Sequence, residues 1–396
     1  MTTTAVAFLS VAVWACLLFA RGWFWLCGER DDSIPLPTDS DSWNSPESFP
    51  AVVAIIPARD EADMIAHSVG SLLRQDYRGP FSVVVVDDQS SDGTAAIAAA
   101  AASAADAADR LRIVVGTSVA PGWTGKLWAM RQGLSAVDTG AAASEFVLFS
   151  DADIAYAPHV LTRLVAIARA RKSVLTSLMV KLRCESAAER WMVPAFVFFF
   201  QMLYPFSWVN DPKRRTAAAA GGCMLARRET LAAAGGLEAL RGALIDDCAL
   251  GARMKAHGPI WLGLTESVHS LRAYPAFSDF GRMVARSAFA ELRYSPLRLA
   301  CVVAGMALVY LAPPFLALFG RGLAQAAGVL AWGAMALAFA PTLRLYGRTL
   351  AGGLALPPIA TAYVAFTLDS AMQYWRGRGG YWKGRIQAPI GETTRV

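Results

Sequence analysis

Four apolar residues, Phe146-Val147-Leu148-Phe149, run directly into Ser150-Asp151-Ala152-Asp153. A short continuous apolar run of this kind suits a strand covered on both faces. This one delivers two carboxylates, one residue apart, to its carboxyl end. Alternation along an extended chain places Asp151 and Asp153 on the same side, where hard divalent ions such as Mg²⁺ or Mn²⁺ find the oxygen ligands they prefer. An Asp-x-Asp tripeptide is common in isolation, so its neighbours decide its meaning.

The rest of the chain is too apolar for an ordinary soluble enzyme: of 396 residues, 55% are hydrophobic and only 17% charged. Ala5 to Leu26 is long enough to cross a bilayer and is interrupted only by Arg21. Its uncharged start, Met1-Thr2-Thr3-Thr4, is unlike a cleaved signal peptide, so residues 1–30 are expected to form an uncleaved anchor. Leu299 to Phe319, Leu323 to Leu343 and Leu350 to Met372 are further apolar stretches. Basic residues crowd their flanks, with Arg272, Arg282, Arg286, Arg293 and Arg298 before and Arg376, Arg378, Lys383 and Arg385 after. The net charge of +6 is thus read as a cytoplasmic membrane flank, and no nucleic-acid polymer is expected as a partner. Three full crossings would leave the basic tail outside. Pro357-Pro358 and Asp369 favour the last stretch as interfacial or re-entrant, with Leu299 to Phe319, broken by Pro313-Pro314, as the rival and three spans as the further alternative. The six cysteines show no Cys-x-x-Cys spacing, which argues against a disulfide framework or zinc site.

Five parts follow: an anchor (1–30), a Pro/Ser/Asp-rich linker (31–50), an α/β domain (51–298), the membrane segments (299–375) and a basic cytoplasmic tail (376–396). Within the α/β domain, Val52 to Ile56, Val83 to Val86, Leu111 to Val115, Phe146 to Phe149 and Val174 to Ser177 are predicted strands. Helices are predicted over His67 to Arg74 and Thr94 to Ala108. The alternation implies a doubly wound domain with a mostly parallel sheet and ligands beyond the strands' carboxyl ends. Acidic clusters gather there: Arg59-Asp60-Glu61, Asp87-Asp88 with Ser90 and Asp92, and Asp151/Asp153.

In order and approximate spacing these clusters resemble the inverting family-two glycosyltransferases of the GT-A, or nucleotide-diphosphosugar transferase, fold. The matching residues are Ile56-Pro57-Ala58-Arg59-Asp60-Glu61, Val86-Asp87-Asp88-Gln89-Ser90-Ser91-Asp92-Gly93-Thr94, Gly125-Lys126, Ser150-Asp151-Ala152-Asp153 and Asp246-Asp247, covering roughly residues 51–300. The anchor, the apolar C-terminal part and Arg282-Met283-Val284-Ala285-Arg286 look most like the hopanoid-biosynthesis-associated membrane enzymes.

The resemblance implies a UDP-sugar donor, a divalent cofactor (Mg²⁺ or Mn²⁺) and a role for each site residue. Asp87 or Asp88 would accept from the uracil N–H, with Pro57, Arg59 and Glu61 lining the nucleotide pocket. Lys126 would reach the nucleoside or its phosphates. Asp153 would ligate the metal and Asp151 assist it, directly or through the ribose. Asp247, beside Asp246 near a helix N-terminus, is the expected general base. The family's Gln-x-x-Arg-Trp survives only as Arg286, a possible diphosphate contact, and its missing tryptophan favours single transfer over a processive synthase. Gly221-Gly222-Cys223-Met224-Leu225 is read as a run of small residues permitting close approach of donor or acceptor.

The aromatic-rich Trp191 to Val209 is expected to form an interfacial helix, with a buried core helix as the alternative. Lys213-Arg214-Arg215 would then meet headgroups. The expected function is transfer of a sugar to a membrane lipid hydroxyl, a hopanoid being one candidate, by a multi-pass inner-membrane protein with a cytoplasmic catalytic domain. A processive polysaccharide synthase and a non-catalytic nucleotide-sugar-binding scaffold are the competing readings.

Overall fold

The computed structural model describes residues 2–35, 49–138, 144–383 and 385–386. Its main sheet is built from β1 (Val52–Ala58), β2 (Phe81–Asp87), β3 (Leu111–Val115), β4 (Phe146–Ser150), β5 (Ile154–Tyr156), β6 (Leu175–Lys181), β7 (Cys223–Arg227) and β8 (Ile260–Ser270). They lie in the order β3-β2-β1-β4-β7-β6-β8-β5. β1 buries alternate residues on opposite faces, Val53 and Ile55 on one and Val52, Ala54 and Ile56 on the other. Cover on both faces is why its sequence is continuously apolar. β1 runs on through Pro57 to Ala58, past its last β4 partner at Ile55↔Phe149. The missing proline N–H therefore falls where β4 no longer runs alongside.

The sheet is mixed rather than mostly parallel. β3, β2, β1 and β4 are parallel, as are β6 and β8, but β7 is antiparallel to both its neighbours and β5 to β8. The chain enters β7 beside the end of β4, with Cys223 opposite Ser150, so it must run backwards along it. This puts the Gly221-Gly222 turn at the same end of the sheet as Asp151.

The helix Ala187–Leu203 joins the sheet domain to a helix bundle. It starts at a capping box, with Ser186 Oγ accepting from Glu189 N at 3.1 Å and Glu189 Oε2 from Ser186 N at 2.8 Å. The interfacial expectation for residues 191–209 is corrected here: Met192, Val193, Val197, Phe198 and Phe199 are buried. Phe198 lies 5.3 Å from both Phe24 and Phe339, and Phe199 4.8 Å from Tyr363. Aromatic density marks an internal seam here, filling the space between domain and bundle.

Three helices are long and apolar enough to cross a membrane: Pro296–Phe319, Leu323–Leu345 and Leu350–Trp375. The N-terminal helix, Thr2–Phe19, is shorter than the expected Ala5 to Leu26. It turns out through left-handed Trp23 and Cys27. Arg21 has a structural use, donating to the carbonyls of Met202 (3.0 Å) and Leu203 (3.2 Å) at the end of the seam helix, where a cation complements the helix dipole. Ala7 packs with Leu316, Ala324 and Ala327 at one end of the bundle, and Cys27 Sγ reaches Thr342 Oγ1 at 3.5 Å at the other. Pro357 and Pro358 break nothing, because they occupy the first turn of the helix Leu356–Trp375, where no donor is needed. That segment meets the middle of its neighbour, Trp332 Nε1 donating to Leu354 O at 3.2 Å. It then returns to the domain side, where Ser370 Oγ accepts from Phe289 N at 3.1 Å.

The expected linker, 31–50, lies partly outside the described residues. Its first part is docked, Asp31 being buried and accepting from Thr265 Oγ1 on β8 at 2.8 Å. Much of the expected tail, 376–396, also lies outside the described residues, but Lys383 reaches back to the sheet domain.

Candidate active site

The loops after β1 and β2 are stitched together. Asp60 N donates to Ser90 Oγ (3.0 Å), Ser91 N to Asp60 Oδ1 (2.8 Å), Glu61 N to Thr94 Oγ1 (2.9 Å) and Ala62 N to Asp92 Oδ2 (2.9 Å). Asp60 and Gln89 adopt left-handed backbone conformations, φ 48 and 58, a strained geometry held by this stitching. Asp92 and Thr94 are thereby structural. Asp88 is fully buried, and its carbonyl accepts from Arg59 Nη1 at 2.6 Å. Asp87 is half-buried and its Oδ1 accepts from Ser90 N at 3.1 Å, so of the two acids it is the more open to a ligand.

Beyond β4, two ionic clusters form. In the first, Lys126 at the start of the helix Gly125–Asp138 places Nζ 2.8 Å from Asp151 Oδ1 and 3.4 Å from Asp246 Oδ2. Burial works to lower the Lys126 pKa, but Asp151 and Asp246 outweigh it and hold the ammonium charged. Asp246 and Asp247 open the helix Asp246–Lys255. Asp247 Oδ2 accepts from Gly221 N (2.9 Å) and Oδ1 from Cys248 N (2.7 Å). Burial first, then the like charge of Asp246, pushes its carboxyl up to about 6 against the pull of Lys126 and these two N–H groups. A Cβ on Gly221 would stand 3.2 Å from Asp247 Oδ2 and 3.3 Å from Lys126 Nζ, so any side chain there would push both groups by a few tenths of an ångström. Asp246 Oδ2 is buried, and the 3.4 Å ion pair to Lys126 is its contact among the described residues, with no closer hydrogen bond.

In the second cluster Arg272, just past β8, grips Glu61 with Nη2 (2.8 and 2.9 Å) and Asp153 Oδ2 with Nε (3.2 Å). Ser270 Oγ adds a donor to Asp153 at 3.0 Å. Lys383 Nζ closes the other side of Glu61 at 3.0 Å and donates to Asp60 O at 2.9 Å. Burial opposes the charge on Arg272, but Asp153 and Glu61 more than compensate, and its pKa is raised. Tyr274 adjoins both clusters. Its hydroxyl is pushed up by burial, with smaller effects from Arg272, Asp153, Arg286 and Asp151.

Asp151, Lys126, Asp246 and Asp247 are thus brought together, while Arg272 joins Glu61 to Asp153, two residues along the chain from Asp151. Strand alternation does not carry Asp151 and Asp153 to one partner. β4 ends at Ser150, a turn covers Ala152-Asp153, and the two carboxylates face different cations. Pro57 lies in the last residues of β1 and Arg59 directly follows that strand. Arg286 is exposed at the end of the helix Phe277–Ala285, without an ion pair among the described residues. Sequence reasoning missed Arg272 and Lys383 as site residues, having read both only as membrane-flanking charge.

Among the described residues no three metal-ligating side chains gather by themselves. The donor set nevertheless suits a divalent ion that arrives with an anionic ligand. Asp151 Oδ2 and Asp153 Oδ1 take no protein hydrogen bond among the described residues. Glu61, Asp151, Asp153, Asp246 and Asp247 outnumber Lys126, Arg272 and Lys383. A diphosphate entering that surplus of negative charge calls for an added cation.

The sequence model described as glycosyltransferase like family 2 matches residues 50–261. No curated protein matches the chain. Among solved structures, the mannosyltransferase PcManGT from Pyrobaculum calidifontis, in complex with GDP-Man and Mn²⁺, is similar over 94% of this chain and 99% of its own. Identity is 19% and the TM-score 0.53. Mannosyl-3-phosphoglycerate synthase from Rubrobacter xylanophilus matches over 82% and 84% of the two chains at 15% identity, TM-score 0.39. Glucosyl-3-phosphoglycerate synthase from Mycobacterium tuberculosis, in complex with Mg²⁺ and UDP, matches over 62% and 80% at 19% identity, TM-score 0.39.

Proposed function

This chain belongs to glycosyltransferase family 2, with a GT-A type α/β domain, and from that premise we propose an inverting transfer of sugar from a UDP-sugar to a membrane lipid hydroxyl. The observation that carries the reading is the bridge from Asp151 through Lys126 to Asp246, which joins the acidic turn after β4 to the helix bearing Asp247. The acceptor oxygen attacks the anomeric carbon as the bond from that carbon to the diphosphate oxygen breaks. Asp247 takes the acceptor's proton. With its pKa near 6, it is ionised at neutral pH yet basic enough to accept. The N–H groups of Gly221 and Cys248 fix its orientation. Lys126 and Arg272 present positive charge where the diphosphate leaves. Bound through Asp151 and Asp153, Mg²⁺ or Mn²⁺ would supply further neutralisation of that leaving group. Asp246 Oδ2, buried and held only by the 3.4 Å ion pair to Lys126, has lone-pair capacity left for a substrate hydroxyl. On the nucleotide side, Asp87 is the base-recognising acid, Arg59 and Pro57 shape the wall, and Arg286 guards the rim.

The lipid acceptor is favoured by the nearness of this helix to the bundle. Tyr204, ending the seam helix, donates to Glu291 of the juxtamembrane helix Ala288–Glu291, and Cys248, next to Asp247, feels the charge of Glu291. A hopanoid is one acceptor of suitable chemistry.

Residues 350–375 are read as re-entrant. The segment meets Trp332 partway down its neighbour, returns to Ala285 and Phe289, and leads to Lys383 on Glu61. Catalytic domain and tail then share the cytoplasmic face. The test is detergent-purified protein given UDP- and GDP-sugars with lipid extract, with and without Mg²⁺ or Mn²⁺. A lipid product gaining one sugar by mass supports the proposal; a soluble or polymeric product refutes it.

A further inference from the structure

At the domain-proximal end of the bundle lies a cavity of about 610 Å³ that does not include the catalytic cluster. Its wall includes Phe19, Trp23, Leu26, Phe206, Trp208 and Arg214. Phe19, Trp23 and Leu26 are 64%, 50% and 48% exposed, a degree of apolar exposure that invites a hydrocarbon neighbour. Two guanidinium groups flank the Trp208 indole, Arg21 at 5.2 Å and Arg214 at 5.0 Å from its centroid. Lys213, Arg214 and Arg215 are exposed in succession. Arg214 thus stands in the cavity wall, with Lys213 and Arg215 exposed on either side of it in the chain. The acidic wall residue, Glu29, is engaged by Asn210 Nδ2 at 3.0 Å, and Asp211 stands 3.8 Å from Arg214.

The cavity is separate from the reaction centre. Lys255 Nζ donates to the carbonyls of Trp208, Val209 and Thr216 at 3.2, 2.7 and 2.6 Å, which places the C-terminal end of the helix Asp246–Lys255 against the cavity wall. Asp246 and Asp247 occupy the other end of that ten-residue helix, about 15 Å away at its rise per residue.

An apolar slot beside a cationic mouth matches one ligand chemistry, a phosphate ester carrying a hydrocarbon chain. We propose that this cavity binds an anionic phospholipid, its phosphate held by Arg214 and Arg215 and an acyl chain laid along Phe19, Trp23 and Leu26. The inference rests on the membrane reading above. Bulk membrane charge would attract basic residues anywhere on the flank, whereas a built cavity predicts a saturable site.

The experiment uses the full chain in neutral detergent and short-chain phosphatidylglycerol as the probe, with native mass spectrometry counting bound lipid. Phosphatidylcholine of the same chain length and inorganic phosphate are the comparison ligands. Saturable binding of phosphatidylglycerol that weakens at least about 10-fold in Arg214→Glu/Arg215→Glu is expected, each cation near a headgroup being worth about 1 kcal/mol. Both arginines are exposed, so an unchanged melting temperature will show that the variant folds. Phe19→Ala supplies a second variant, expected to lose the chain-length dependence of binding. Equal binding by wild type and both variants, equal binding of phosphatidylcholine, or full displacement by millimolar inorganic phosphate would overturn the lipid site. Recovery of the chain in the carbonate-soluble fraction would instead overturn the membrane reading.

Discussion

Asp247 is the centre of a charge balance that can be tipped in either direction, which makes its pH dependence a sharp test. Its carboxyl sits near 6 because burial and Asp246 push it up while Lys126 pulls it down. A base works ionised, so kcat/KM falls as pH drops through its pKa; raising that pKa moves the loss to higher pH. Lys126→Met removes an opposite charge that shares the space over Gly221 with Asp247. A charge at such range shifts a carboxylate by about 1–3 units. The acid limb should therefore move from near pH 6 to about 7 or above. Asp246→Asn removes the like charge and should move the limb the other way, by about 1 unit. Lys126→Met will also weaken donor binding, but the position of the limb in kcat/KM reports the free enzyme whatever the absolute rate. The assay is initial transfer rate at subsaturating donor between pH 4.5 and 9 at constant ionic strength. Limbs that move in the same direction, or that stay fixed in both variants, would refute the assignment of the limb to Asp247.

Gly221→Ala should lower the rate by up to about 10-fold while leaving the fold intact, since its Cβ would shift Asp247 and Lys126 by a few tenths of an ångström and a full 1 Å misplacement can cost about 10²-fold; a wild-type rate would show that the close approach is dispensable. Arg272→Met should weaken UDP binding, measured by calorimetry, and abolish any remaining metal-independent binding; unchanged affinity would remove Arg272 from the diphosphate's path. Chelation followed by Mn²⁺ titration should lose and restore donor binding through Asp153, with Asp153→Asn failing to recover. A protease site placed after residue 386 and one placed at the exposed Thr117-Ser118 should be cut from the same side in sealed vesicles; cleavage from opposite sides would exclude the re-entrant course of residues 350–375.

Strands β1 and β2 were legible because they are buried on both faces: Val52 to Ile56 and Val83 to Val86 are continuous apolar runs with loop acids directly after them. The helix start at Asp246-Asp247 was legible for a different reason, acids preceding a helical pattern. β7, β5 and β8 were not. β8 carries Thr265, Glu266, Ser267 and His269 in its second half, and only the fold reveals that Thr265 holds Asp31 and Glu266 holds Arg30. Arg272 lies 211 residues from Glu61, so adjacency in sequence showed only its basic neighbours. The aromatic seam helix shows a limit of composition. Phenylalanines suit a bilayer surface and a protein interior alike, and only their packing partners, Phe24, Phe339 and Tyr363, distinguish the two.

The most direct measurement separates binding from chemistry in Asp247→Asn. UDP-sugar affinity should stay close to wild type while the single-turnover transfer rate falls about 10²- to 10⁴-fold. Transfer at the wild-type rate, with affinity intact, would contradict the assignment of Asp247 as the base that activates the acceptor.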